Sequence, residues 1–89
     1  MAVQTNISQI NAFVDFSNLH PEELLLLFEE TAPHILKQIE AQLIFKELTT
    51  YITDDEEKKL FYAWEDILLE PGKFYSTIHE LLNKYKRNS

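Results

Sequence analysis

Apolar positions recur along most of this chain at intervals of three and four residues, the period of a helix with one buried face. The clearest stretch is about Lys73 to Lys86. At 100° per residue, Phe74, Tyr75, Ile78, Leu81, Leu82 and Tyr85 fall within about 120° of arc. Ser76, Glu80, Asn83, Lys84 and Arg87 lie opposite them. A second stripe, Leu60, Phe61, Trp64, Ile67 and Leu68, belongs to a helix that opens at Thr53 and should stop near Glu70. Pro71-Gly72 is the turn signal that stops it. Tyr62 and Leu69 fall on its far side. Thr53-Asp54-Asp55-Glu56 matches the capping box, in which Thr53 and Glu56 satisfy each other's backbone donors. Asp54 and Asp55 stand four residues before Lys58 and Lys59, the favourable order for ion pairs along a helix.

The middle of the chain is less uniform. A helix is expected at about 21–31, opened by His20-Pro21-Glu22-Glu23: proline suits the first helical position, and two glutamates complement the positive end of the dipole. Pro33 either ends this helix or kinks it into the next. The next runs from about Ala32 to Tyr51 and has two apolar faces. Ile35, Leu36, Ile39 and Leu43 share one; Ala41, Ile44, Phe45 and Leu48 lie nearly opposite. A stripe that changes sides predicts different neighbours for the two halves, as in a central helix or one at an oligomer interface. A short N-terminal helix is expected over about Asn6 to Phe16, where Ile7, Ile10 and Val14 keep helical spacing beside Phe13, with Asn6 or Thr5 as cap. No stretch alternates with period two.

The expected fold is therefore all-α: a compact antiparallel bundle of four main helices plus a short N-terminal helix. At 89 residues the chain has room for one domain, taken as residues 1–89, with 1–5 and 87–89 expected to be disordered. One glycine and three prolines agree with few tight turns.

Charge and composition narrow the function. Eight basic and fifteen acidic side chains give a net charge of −7. Direct nucleic-acid binding needs a basic patch, and the only basic cluster, Lys84, Lys86 and Arg87, sits where cations complement a helix C-terminus. Residues 1–36 hold Asp15, Glu22, Glu23, Glu29 and Glu30 and no lysine or arginine. The absence of cysteine excludes disulfides and thiolate chemistry. The longest apolar run, Leu24 to Phe28, is too short to span a bilayer, and the first residues do not resemble a secretory signal. The expectation is a soluble, cytoplasmic protein without membrane contact.

No constellation for catalysis stands out. A phosphate loop, a zinc helix and a calcium loop are all missing. His20, His34 and His79 lack the Glu-x-x-His pairing of bundle metal sites, so no metal and no cofactor is expected. The acidic run Asp54 to Glu57 is accounted for as a helix start, and Trp64 as a core aromatic. The sharpest candidate is Leu26. Leu24, Leu25, Leu27 and Phe28 can all face a core, whereas Leu26 is flanked on the helical wheel by Glu22, Glu23, Glu29 and Glu30. An apolar knob ringed by carboxylates suits a basic groove with a greasy pocket.

Leu24-Leu25-Leu26-Leu27-Phe28-Glu29-Glu30-Thr31-Ala32-Pro33 resembles the opening helix of histidine phosphotransfer domains, which are also helical bundles. His34-Ile35-Leu36-Lys37 resembles the His-x-x-Lys core of their phosphoacceptor site. In that family a glycine follows the lysine and leaves space for the partner's aspartyl phosphate, and the histidine comes later in the bundle; here the lysine is followed by Gln38. The resemblance covers residues 24–37 and implies phosphorelay through His34.

The leading expectation is a non-enzymatic protein–protein interaction module: a regulator, adaptor or inhibitor that binds another protein through Leu26 and its four glutamates. The alternatives are a structural homo-oligomer, with a homodimer through the two-faced helix, and a phosphotransfer-like protein using His34.

Overall fold

The breaks expected at Asn18–Pro21, Thr31–Pro33 and Thr53 separate elements in the computed structural model, which describes residues 16–86, whereas Pro71-Gly72, expected as a turn, forms the first turn of the last helix. A 3-10 turn, Phe16–Asn18, leads into α1 (Pro21–Thr31). A second 3-10 turn, Ile35–Lys37, leads into α2 (Gln38–Leu48). Then follow α3 (Asp54–Glu65) and α4 (Pro71–Tyr85). The four helices pack against one another in a compact globule, and no strand occurs among the described residues. The N-terminal helix expected over 6–16 and the disorder expected at 1–5 and 87–89 lie outside the described residues, apart from Phe16.

The helix starts follow local chemistry. Pro21 and Pro71 each occupy a first helical position. His20 caps α1, its Nδ1 accepting the Glu22 N–H at 3.0 Å while Glu23 Oε1 accepts the His20 N–H at 2.9 Å. Thr53 caps α3 with the expected reciprocal pair: Oγ1 accepts the Glu56 N–H at 3.2 Å, and Glu56 Oε1 accepts the Thr53 N–H at 2.9 Å.

Three expectations are corrected. The helix placed at 32–51 is shorter, and α1 and α2 are separate. The chain leaves α1 at Ala32-Pro33, and His34 caps a 3-10 turn, its Nδ1 accepting the Leu36 N–H at 3.2 Å. Gln38 fixes the break by donating from Nε2 to the carbonyls of Ala32 (2.7 Å) and His34 (2.9 Å). The helix expected to reach Glu70 ends at Glu65. Asp66 accepts backbone bonds from both Leu69 and Glu70, closing a turn that Lys73 braces at 3.6 Å. Pro71 disfavours helical backbone at Glu70, so the turn must precede it. Finally, the ion pairs expected along α3 do not form. Lys59 reaches across to Glu80 of α4 at 2.7 Å instead.

The core is built from one face of each helix: Leu24, Leu25 and Phe28 of α1; Ala41, Ile44 and Leu48 of α2; Leu60 and Ala63 of α3; Phe74, Ile78 and Leu81 of α4. Full burial of a Leu, Ile or Phe side chain contributes about 1.5–3 kcal/mol, so this set dominates stability. Helix α1 packs on α2 and α4, and α4 packs on α3. The order around the bundle is thus α2, α1, α4, α3, with the open side between α2 and α3. These two helices are consecutive in the chain, yet aromatic side chains rather than close backbone approach join them.

Candidate functional site

The open side is a cleft of about 450 Å³ lined by Gln38, Gln42, Phe45 and Lys46 of α2 and by Phe61, Trp64 and Glu65 of α3. Its apolar lining comes from an aromatic layer. Phe28, fully buried, meets Trp64 edge-on with ring centres 5.0 Å apart, and Phe45 at 5.7 Å. Phe45 lies 5.7 Å from Trp64 and 6.0 Å from Phe61. Edge and tilted contacts of this kind suit the ring quadrupoles. Trp64 and Phe45 therefore have one side on the core and one side in the cleft, and both are half-buried.

A second hollow of about 170 Å³ continues the cleft past Gln38, Trp64 and Glu65 toward Pro33, Ile35, Ile67 and Leu68. Ile35 (75%) and Leu68 (86%) border it, and with Leu36 (88%), Ile39 (77%) and Leu69 (83%) they are the most exposed aliphatic side chains described. Each is set outward by a local cause. The His34 cap and the Gln38 side chain hold Ile35 and Leu36 in a 3-10 turn off the end of α1. Ile39 and Leu43 share the face of α2 opposite Ala41, Ile44 and Leu48. The Asp66 turn carries Leu68 and Leu69 out of the stripe that the sequence assigned to Leu68.

Leu26 is half exposed (48%) on the outer face of α1 and does not reach the cleft. Its four glutamates are not equivalent. Glu23 is used in the helix cap, and Glu29 meets His79 Nε2 at 3.1 Å. Glu30 is exposed and Glu22 is half-buried. The structure gathers these residues on one helix face, as the wheel implies, but brings no second exposed aliphatic anchor of α1 beside Leu26.

His34 is exposed, and its Nδ1 lone pair is occupied by the Leu36 N–H. Gln38 fills the position where the phosphotransfer pattern has glycine, and its side chain is tied to the backbone on either side of Pro33. Among the described residues, no group of three or more His, Cys, Asp or Glu side chains is placed to hold a metal ion. No helix among them is long and apolar enough to cross a membrane.

One charged cluster was legible only in part. Glu56, placed by sequence as the third residue of a capping box, also accepts from Lys84 Nζ at 2.5 Å and from the Tyr85 hydroxyl at 2.5 Å. Burial alone would raise its pKa. Donors from Lys84, Tyr85 and the Thr53 backbone overcome that and lower it from 4.5 to about 2. The hydrogen bond to Glu56 raises the Lys84 pKa; burial, then the same carboxylate, raises that of Tyr85. The cluster ties the start of α3 to the end of α4 and is structural.

No protein-family model, curated protein or solved structure matches this chain.

Proposed function

We propose that this chain is a small acidic protein–protein interaction module without chemistry of its own, and that its working surface is the apolar cleft between α2 and α3. The observation that carries this reading is the placement of Ile35 and Leu68, each with three quarters or more of its surface in water, at a hollow that continues a cleft lined by Phe45, Phe61 and Trp64. Single exposed leucines are ordinary; a contiguous apolar patch rimmed by polar groups marks an interaction surface. The rim here is Gln38, Gln42, Lys46 and Glu65. The reading does not rest on Leu26, whose neighbours Glu23 and Glu29 already have partners within the chain.

The test is site-specific photo-crosslinking in native cells. A photoreactive residue at Gln42, in the cleft, is expected to give a discrete protein adduct that Leu68→Asp abolishes. The same residue at Ser76, on the exposed face of α4, is expected to give none. Equal background from both positions would overturn the reading.

A further inference from the structure

We propose that the occupant of the cleft is a second copy of this chain, bound about a two-fold axis so that the Ile35–Ile39 ridge of each copy enters the cleft of the other. This rests on the reading of the cleft as a docking surface and names its partner.

Three observations carry it. The first is shape: the protruding ridge and the hollow that would receive it lie on one face of one molecule. Ile35 itself borders the smaller hollow, and Ile39, one turn further on, is three residues along α2 from Gln42, which lines the cleft. A surface that holds both knob and hole is self-complementary under a two-fold axis, as an isologous interface requires.

The second is charge. The chain carries −7, which outside the cleft would favour a basic partner. The cleft's rim is instead mixed: Lys46 on the α2 bank and Glu65 on the α3 bank. Among the described residues neither makes an ion pair. Two-fold pairing that sets α2 of one copy over α3 of the other brings Lys46 to the second copy's Glu65, twice.

The third is area. Ile35 and Leu68 at the smaller hollow are 75% and 86% exposed, Phe61 in the cleft is 39% exposed, and Leu36, Ile39 and Leu69 on the adjoining turns and the start of α2 are 77–88% exposed. Burying side chains of this size on two copies would supply the apolar centre of an interface of roughly 800 Å² per partner.

The experiment is light scattering behind size exclusion on the full chain, from micromolar to hundreds of micromolar, read together with emission from Trp64, the only tryptophan. Expected is a mass rising to twice 10.5 kDa, with Trp64 emission moving to the blue over the same concentrations. Ile39→Asp and Leu68→Asp, at exposed positions that leave circular dichroism unchanged, should weaken association at least tenfold. Lys46→Glu should weaken it several-fold, and Lys46→Glu with Glu65→Lys should restore it.

A monomer at every concentration overturns the proposal, and three results then separate the causes. A Gln42 adduct with a different protein leaves the docking reading standing. Emission that is blue at all concentrations and shifts to the red on removal of residues 1–15 assigns the cleft to the chain's own N-terminal segment. A monomer without any Gln42 adduct removes both the proposal and the docking reading.

Discussion

The Tyr85 hydroxyl donates a 2.5 Å hydrogen bond to Glu56 Oε1, joining the last turn of α4 to the first turn of α3. The same carboxylate caps α3 and accepts from Lys84, so one side chain of α3 meets three donors. Glu56→Gln keeps the shape and removes the charge. It is expected to cost about 1–2 kcal/mol, through a weakened cap and the loss of charge-assisted bonds. The solvated Lys84 pair adds little to that. Urea denaturation at neutral pH measures it.

The pH dependence follows with a definite sign. Glu56 is more acidic folded (about 2) than its ordinary value of 4.5. The folded state therefore binds this proton less readily than the unfolded state does. The stabilisation is complete above pH 4.5 and is lost as pH falls toward 2. Wild type should lose stability across that window more steeply than Glu56→Gln. Parallel slopes would assign the acid sensitivity to other carboxylates.

Phe28 is the second lever. It has no exposed surface and supports both half-buried aromatics of the cleft. Phe28→Leu keeps most of the volume and should cost no more than about 1–3 kcal/mol. Trp64 then loses its edge-on partner. Near-ultraviolet circular dichroism should fall while the far-ultraviolet signal stays, which separates a loosened cleft from an unfolded chain.

Much of the fold was legible because its signals are local. Pro21, Pro71 and the Thr53–Glu56 pair act within a few residues of themselves, and each marks a helix start. The opposed faces of α2 were legible too, since Ala41, Ile44 and Leu48 differ in direction from Ile39 and Leu43. Which face is buried was not, because that depends on where α1 lies. The cleft was hidden for the same kind of reason. Phe45, Phe61 and Trp64 belong to core-like stripes, and only the order α2, α1, α4, α3 leaves one side of them open. Leu68 was misplaced because the α3 stripe was extended through the Asp66 turn. The Lys84 and Tyr85 contacts to Glu56 cross 28 and 29 residues, beyond any helical period.

Leu26 allows a clean separation of surfaces. It is half exposed and does not line the cleft, so Leu26→Ser should change stability by no more than about 0.5 kcal/mol. Self-association should be untouched. A loss of the dimer in Leu26→Ser would place the interface on α1 and count against the α2–α3 cleft.

Salt discriminates among interfaces by sign. Two copies at −7, with centres roughly 25 Å apart, repel by about 3–4 kcal/mol at ~0.01 M salt and by less than ~0.5 kcal/mol at ~0.15 M, as point charges in water. The two Lys46–Glu65 pairs at the rim would be exposed and contribute about 0.2–1 kcal/mol each, also screened by salt. Repulsion is the larger quantity, and apolar burial is insensitive to screening. Dimerisation through the cleft should therefore tighten about tenfold or more between those ionic strengths, measured by the midpoint of the Trp64 emission change. An interface built from the acidic face against basic groups would loosen over the same range.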